Sequence, residues 1–194
     1  MKRSIPLRAI PLLLLQRREW LAAALATLLA FGEVALGAVA MARPILKGGN
    51  GSWTVSEFVA ATPARAWAVL SNYEAQASIA PDITRTDVVS RKGSSVILDQ
   101  TYQAGYTFGL PIKARLTILE RPPSGFSYNL VQGDKLNSLQ GSWSISPVKG
   151  GVQLRHQIKV DPQVPALLRP VYDQQQEANL VQWMTILKRK MEQG

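Results

Sequence analysis

From residue 83 to residue 160 the chain alternates apolar and polar positions with a period of two, broken at short intervals by Gly, Pro and Asp turns. Leu110, Ile112, Ala114, Leu116 and Ile118 alternate with Pro111, Lys113, Arg115 and Thr117. Phe126, Tyr128 and Leu130 repeat the pattern after an Arg121-to-Gly125 turn, as do Leu139, Gly141, Trp143 and Ile145. The last run is the most regular, with Val152, Leu154, His156, Ile158 and Val160 on one side and Gln153, Arg155, Gln157 and Lys159 on the other. Such alternation predicts strands with one buried face and one wet face, and their short turns predict an antiparallel meander.

The period changes at both ends of this region. Trp53 to Ala60 reads as an additional first strand, and Thr62-Pro63 as a helix start with Thr at the cap and Pro at the first helical position. That helix stops at Ser71-Asn72. Tyr73 to Ala80 predicts a second short helical piece, ended by Pro81. After residue 164, Leu180, Trp183, Met184, Leu187 and Met191 fall at helical spacing. The polar run Asp173 to Glu177 predicts a bend or an exposed half before that stripe. The expected class is α+β: a curved antiparallel sheet of about six or seven strands around one long C-terminal helix, with two short helices after the first strand. A helix laid across the open side of such a sheet leaves a cavity lined by the inward positions.

Residues 1–42 are different in kind. A basic start, MKRSIPLRAIPLLLLQRRE, leads into the apolar run Trp20 to Gly32 and ends in small residues with Ala-x-Ala spacing. This pattern predicts an export signal, or an N-terminal membrane anchor through residues 20–42 if the segment is retained. Arg17-Arg18-Glu19-Trp20-Leu21 resembles the twin-arginine export motif. Residues 43–51, RPILKGGNG, read as a linker, and 52–192 as the folded domain.

The formal charge of +9 belongs partly to the N-terminal segment, since residues after 42 hold 17 basic and 11 acidic side chains. The remaining basic residues are spread out, without the clustering and interleaved aromatics of a nucleic-acid surface. They suit mild affinity for a membrane surface, and Lys188-Arg189-Lys190 reads as a solvated helix end. The chain has no Cys and one His, which removes disulfides, thiolate chemistry and a protein-built zinc site from consideration. No cofactor, metal ligand set or catalytic constellation is expected, and the body is expected to be monomeric.

The stretch Ala61-Thr62-Pro63-Ala64-Arg65-Ala66-Trp67-Ala68-Val69-Leu70-Ser71-Asn72-Tyr73, continued by Ala80-Pro81-Asp82-Ile83, resembles the motif after the first strand in the START-like, or SRPBCC, superfamily. That superfamily includes the birch-pollen allergen and polyketide cyclase/dehydrase groups, and the closest local likeness is to the coenzyme Q-binding START-domain group. The resemblance implies a helix-grip fold and binding of a hydrophobic or amphipathic small molecule, such as a lipid, quinone, pigment or polyketide. It carries no shared catalytic residues.

The candidate pocket residues are those of the inward sets. His156 has an imidazole on the most regular strand, flanked by Leu154 and Ile158. Gln100, Tyr102 and Tyr128 offer polar points in an apolar wall. Trp143, Leu116, Leu180 and Met184 complete the lining, while Tyr106 and Phe108, in a glycine-bounded loop, are placed at the cavity mouth. The principal expectation is a carrier or shielding protein for an apolar ligand. The alternatives are a cyclase/dehydrase-type enzyme using His156 and a pocket Tyr as acid and base, and a protein-interaction module using the outer sheet face.

Overall fold

The computed structural model describes residues 43–193, so the segment 1–42 and its export or anchor reading lie outside the described residues. Eight strands form one antiparallel sheet: β1 (Ile45–Gly49), β2 (Ser52–Val59), β3 (Ile83–Lys92), β4 (Ser95–Tyr102), β5 (Ile112–Arg121), β6 (Gly125–Gly133), β7 (Leu136–Val148) and β8 (Gly151–Pro162). Their order, β1-β2-β8-β7-β6-β5-β4-β3, makes β3 to β8 a meander and closes the first part of the chain onto the last strand. Register irregularities at Ile83/Arg85, Val88/Ser90, Arg115/Leu116 and Leu136/Ser138 are of the kind that bend a sheet. The helix α2 (Arg169–Glu192) is gripped by the sheet, which is the helix-grip arrangement. Among the described residues no helix is long and apolar enough to cross a membrane.

The strand count exceeds the expected six or seven because of β1, which occupies part of the segment read as a linker. Asn50 and Gly51 both take positive φ, 52° and 81°, the backbone that closes a two-residue hairpin. Gly48 and Gly49 pair with Trp53 and Ser52 through backbone alone, so no side-chain alternation announces the strand.

The helix α1 (Pro63–Leu70) starts where Thr62 Oγ1 accepts the Arg65 N–H at 3.2 Å and ends where the Ser71 N–H donates to the Trp67 carbonyl. A 3-10 turn (Glu74–Ser78) follows, supported by the Ala75 N–H donating to Asn72 Oδ1 at 3.3 Å. Tyr73, between the two, is buried against Phe126 and donates to Glu120 Oε1 at 2.9 Å; Glu120 also receives Arg91. These contacts tie the broken helix to β5 and β6.

α2 is continuous, without the predicted bend. Leu180, Met184, Leu187 and Met191 are buried in the core, and the C-terminal half packs against β2 and α1. Lys188 is not the solvated end that its neighbours suggest. Its Nζ lies 3.5 Å from buried Glu57 and 3.1 Å from Glu192, and donates to the Phe58 carbonyl. Glu177, in the run read as exposed, accepts the Trp53 indole N–H at 3.0 Å. Leu110 is outside its strand and 52% exposed, because Gly109 takes a φ of 73° and the strand begins only at Ile112.

Candidate functional site

Between the sheet and the N-terminal half of α2 lies a cavity with ≈ 70 Å³ open to the centres of water molecules. That is room for a small cluster of waters or the core of a compact ring. Its floor is apolar: Leu98 on β4, Leu116 and Ile118 on β5, Phe126 on β6, Leu139 on β7 and Val160 on β8. Strand alternation places every one of these side chains on the same face, which is why five neighbouring strands can line one space.

Of the residues predicted from alternation, Leu116, Gln100, Tyr102, Tyr128, Trp143 and Ile158 are on the wall, as is Tyr106 from the β4–β5 loop. His156, Leu154, Leu180 and Met184 are buried but do not line the cavity. Phe108 is 49% exposed, in a left-handed conformation that follows the short 3-10 turn Gly105–Thr107, and is not on the wall.

His156 sits one layer behind the wall. Its Nε2 is 2.8 Å from the Tyr128 hydroxyl, and its ring stacks on Trp143 with centroids 4.1 Å apart and planes 2° apart. Trp183 meets both rings edge-on. Tyr128 reaches His156 by passing over Gly141, where a Cβ would collide with the Tyr128 hydroxyl and the Gln157 carbonyl oxygen. Burial without a charged partner pushes the imidazole down to about 3, so it is neutral at neutral pH. Burial likewise raises Tyr128 well above its ordinary value.

The remaining polar wall is partly self-satisfied. Gln100 Nε2 donates to Gln76 Oε1 at 3.0 Å and to Thr86 Oγ1 at 3.2 Å, and its Oε1 accepts the Tyr102 hydroxyl at 2.7 Å. Tyr106 donates to Asp82 Oδ2 at 2.6 Å. Asp82 is almost fully buried, and that burial raises its carboxyl above the usual range, against the opposing pull of Tyr106 and, next, of Asn179. Among the described residues no group of three His, Asp or Glu side chains converges as metal ligands would.

Alternation alone does not reveal the α2 contribution to this wall. Tyr172, Gln176, Asn179 and Trp183 line the cavity at i, i+4, i+7 and i+11, a second stripe one residue out of step with Leu180 and Met184. The helical spacing is the signal that could have found them. Asp82 offers no such signal, since it lies between elements, just after Pro81.

The fold recurs in solved structures. The Zhui aromatase/cyclase from Streptomyces sp. R1128 superposes with a TM-score of 0.65 at 13% identity, covering 73% of this chain and 93% of that one. A START superfamily protein from Mycobacterium smegmatis gives 0.57 at 19% identity, with coverage of 74% and 99%. A STAR-related lipid transfer protein from Xanthomonas axonopodis gives 0.56 at 12% identity, with coverage of 77% and 99%. No curated protein sequence matches the chain. The family model described as "Polyketide cyclase / dehydrase and lipid transport" matches residues 51–192. The chain therefore belongs to the polyketide cyclase/dehydrase and lipid transport family.

Proposed function

We propose that the domain binds a hydrophobic or amphipathic small molecule in the cavity beneath α2 and carries or shields it. The observation that carries this reading is the wall itself: aliphatic and aromatic side chains from five strands enclose a space that they leave unfilled. Native mass spectrometry of the purified full chain, followed by organic extraction, tests it. A molecule of apolar character is expected at stoichiometric or recoverable occupancy. An empty protein that also takes up no apolar probe added in excess sinks the proposal.

A second reading, catalysis of a cyclase/dehydrase type, draws on the likeness to an aromatase/cyclase and on the pairing of wall residue Tyr128 with His156. The depressed imidazole and the raised phenol favour the first reading. Neither group changes charge near neutrality, so the pair offers a hydrogen bond rather than a proton exchange. Conversion of the extracted molecule by the wild type and not by Tyr128→Phe would reverse that preference.

Residues 1–42, with their basic start, apolar run and Ala-x-Ala end, fit export across a membrane or anchoring to it. Intact mass of the protein recovered from its native host separates the two. A chain beginning near Met41 or Arg43 eliminates the anchor, and a full-length mass in the soluble fraction eliminates both.

A further inference from the structure

The cavity wall carries polar atoms that the protein does not use. Among the described residues, Asp82 Oδ1, Gln176 Oε1, Asn179 Nδ2 and Trp183 Nε1 are buried, lie on lining residues and have no hydrogen-bond partner. Asp82 and Gln176 are each 4% exposed and Asn179 is 9% exposed. Asn179 lies close enough to Asp82 to lower its carboxyl, so these two partly answer each other, whereas Gln176 Oε1 and Trp183 Nε1 remain without a partner. An orphaned buried polar group costs roughly 1–3 kcal/mol, which points to something that completes this wall from within the cavity. Gln100, Tyr102 and Tyr106, by contrast, are bonded inside the wall and need nothing from a ligand.

The four atoms are of mixed sense. Asn179 Nδ2 and Trp183 Nε1 donate and Gln176 Oε1 accepts, while the Asp82 carboxyl accepts when ionised and can donate when protonated. The charge of the wall is one-sided: among its described residues there is no Lys, Arg or His. The nearby Arg169 guanidinium is occupied with Asp161 and Asp173. An anionic ligand would therefore be buried without a counter-ion and beside an acid, at a cost of several kcal/mol. A cationic ligand would need Asp82 ionised, against the burial that raises its carboxyl, and would still leave the two donors facing a charge of the wrong sign. An uncharged hydroxyl or carbonyl oxygen serves the donors, and a hydroxyl serves the acceptors as well.

We infer that Asp82, Gln176, Asn179 and Trp183 form a polar anchor that selects an uncharged ligand, one carrying a hydroxyl or carbonyl oxygen on an apolar ring or chain, and excludes carboxylates and phosphates. The inference rests on the reading of the cavity as a ligand site.

Four probes with a common ring separate the two claims: naphthalene, 2-naphthalenemethanol, 2-naphthoate and 2-naphthylmethylammonium, titrated calorimetrically into the full-length protein at pH 7. The alcohol is expected to bind about tenfold or more tighter than the carboxylate and the ammonium, and measurably tighter than the hydrocarbon. Asn179→Leu and, independently, Gln176→Met, both close in shape to the native residues, are expected to erase the advantage of the alcohol over naphthalene without weakening naphthalene. Two variants keep the test alive should one of them fail to fold. Equal or tighter binding of the carboxylate or the ammonium overturns the inference. So does an alcohol advantage that survives in every folded variant. Naphthalene binding with no preference for the alcohol overturns the anchor while leaving the proposed function standing, and binding of none of the four overturns both.

Discussion

His156→Gln is expected to lose about 2–3 kcal/mol less stability than the wild type between pH 7 and pH 4.5. The imidazole is 1% exposed, stacked on Trp143 and held by Tyr128, with no carboxylate beside it. In the unfolded chain a His takes up its proton near pH 6.5, whereas burial delays protonation in the fold to about 3. Between those values the unfolded state holds one proton more than the folded state. Stability from this group is therefore complete above 6.5 and falls as pH falls, by about 1.4 kcal/mol per pH unit. Asp82 and Glu57 act in the opposite sense. Their carboxyls are raised mainly by burial, so the fold holds their protons more tightly than the unfolded chain and is favoured in acid. Both are present in wild type and variant, and the difference between the two proteins isolates the His. Urea unfolding at pH 7 and 4.5 should show the wild type losing about 2–3 kcal/mol more than His156→Gln over that interval. Parallel pH dependences would mean that His156 reaches water or an acid in the folded state.

The same residue shows how far pattern reading goes. Alternation places His156 on the inner face of β8, because a period of two leaves no other choice once its neighbours are apolar. It does not say whether the ring faces the cavity or hides behind another side chain. That depends on register: His156 stands opposite Trp143 on β7 and opposite Val55 on β2, and a slip of two residues would preserve the pattern while changing both partners. The layering of Tyr128, His156 and Trp143 is thus a tertiary fact. Gln176 and Asn179 are hidden for a different reason. Polar residues on a helix read as surface, and only a cavity allows a position to be inside the protein yet unpacked. Lys188 is drawn inward by Glu57, a strand residue 131 positions earlier whose burial gives no sign of itself in the local sequence. β1 escapes because two of its five residues are glycines, which cannot alternate. The strand meander, apart from Leu110 at the start of β5, and the apolar stripe of α2 are built on repeated side-chain periods and are legible in the sequence.

Trp143→Ala is expected to cost about 3–5 kcal/mol, the range for removing a large aromatic from a packed core. Trp143 is 2% exposed, with His156 flat against one face and Trp183 edge-on at 5.2 Å. Such ring contacts contribute about 0.5–1.5 kcal/mol each beyond the area that they bury. Truncation would also leave His156 without its stacking partner while its charged form remains excluded by burial. The loss is a large share of the 5–15 kcal/mol typical of a domain, so Trp143→Phe, which keeps a ring, supplies a graded second measurement. The position of Trp143 gives the substitution a distinctive signature. Because the indole is itself part of the cavity wall, the hole left by Ala joins the existing space rather than forming a sealed void. Added 2-naphthalenemethanol should then raise the urea midpoint of Trp143→Ala by more than that of the wild type, since a ligand that fills the larger space stabilises the folded state by mass action. A loss below about 1 kcal/mol would place Trp143 outside the packed core, at odds with the magnitudes expected for a buried aromatic. A full loss with no ligand rescue would mean that the vacated volume collapses, detaching the His156 layer from the cavity that it supports.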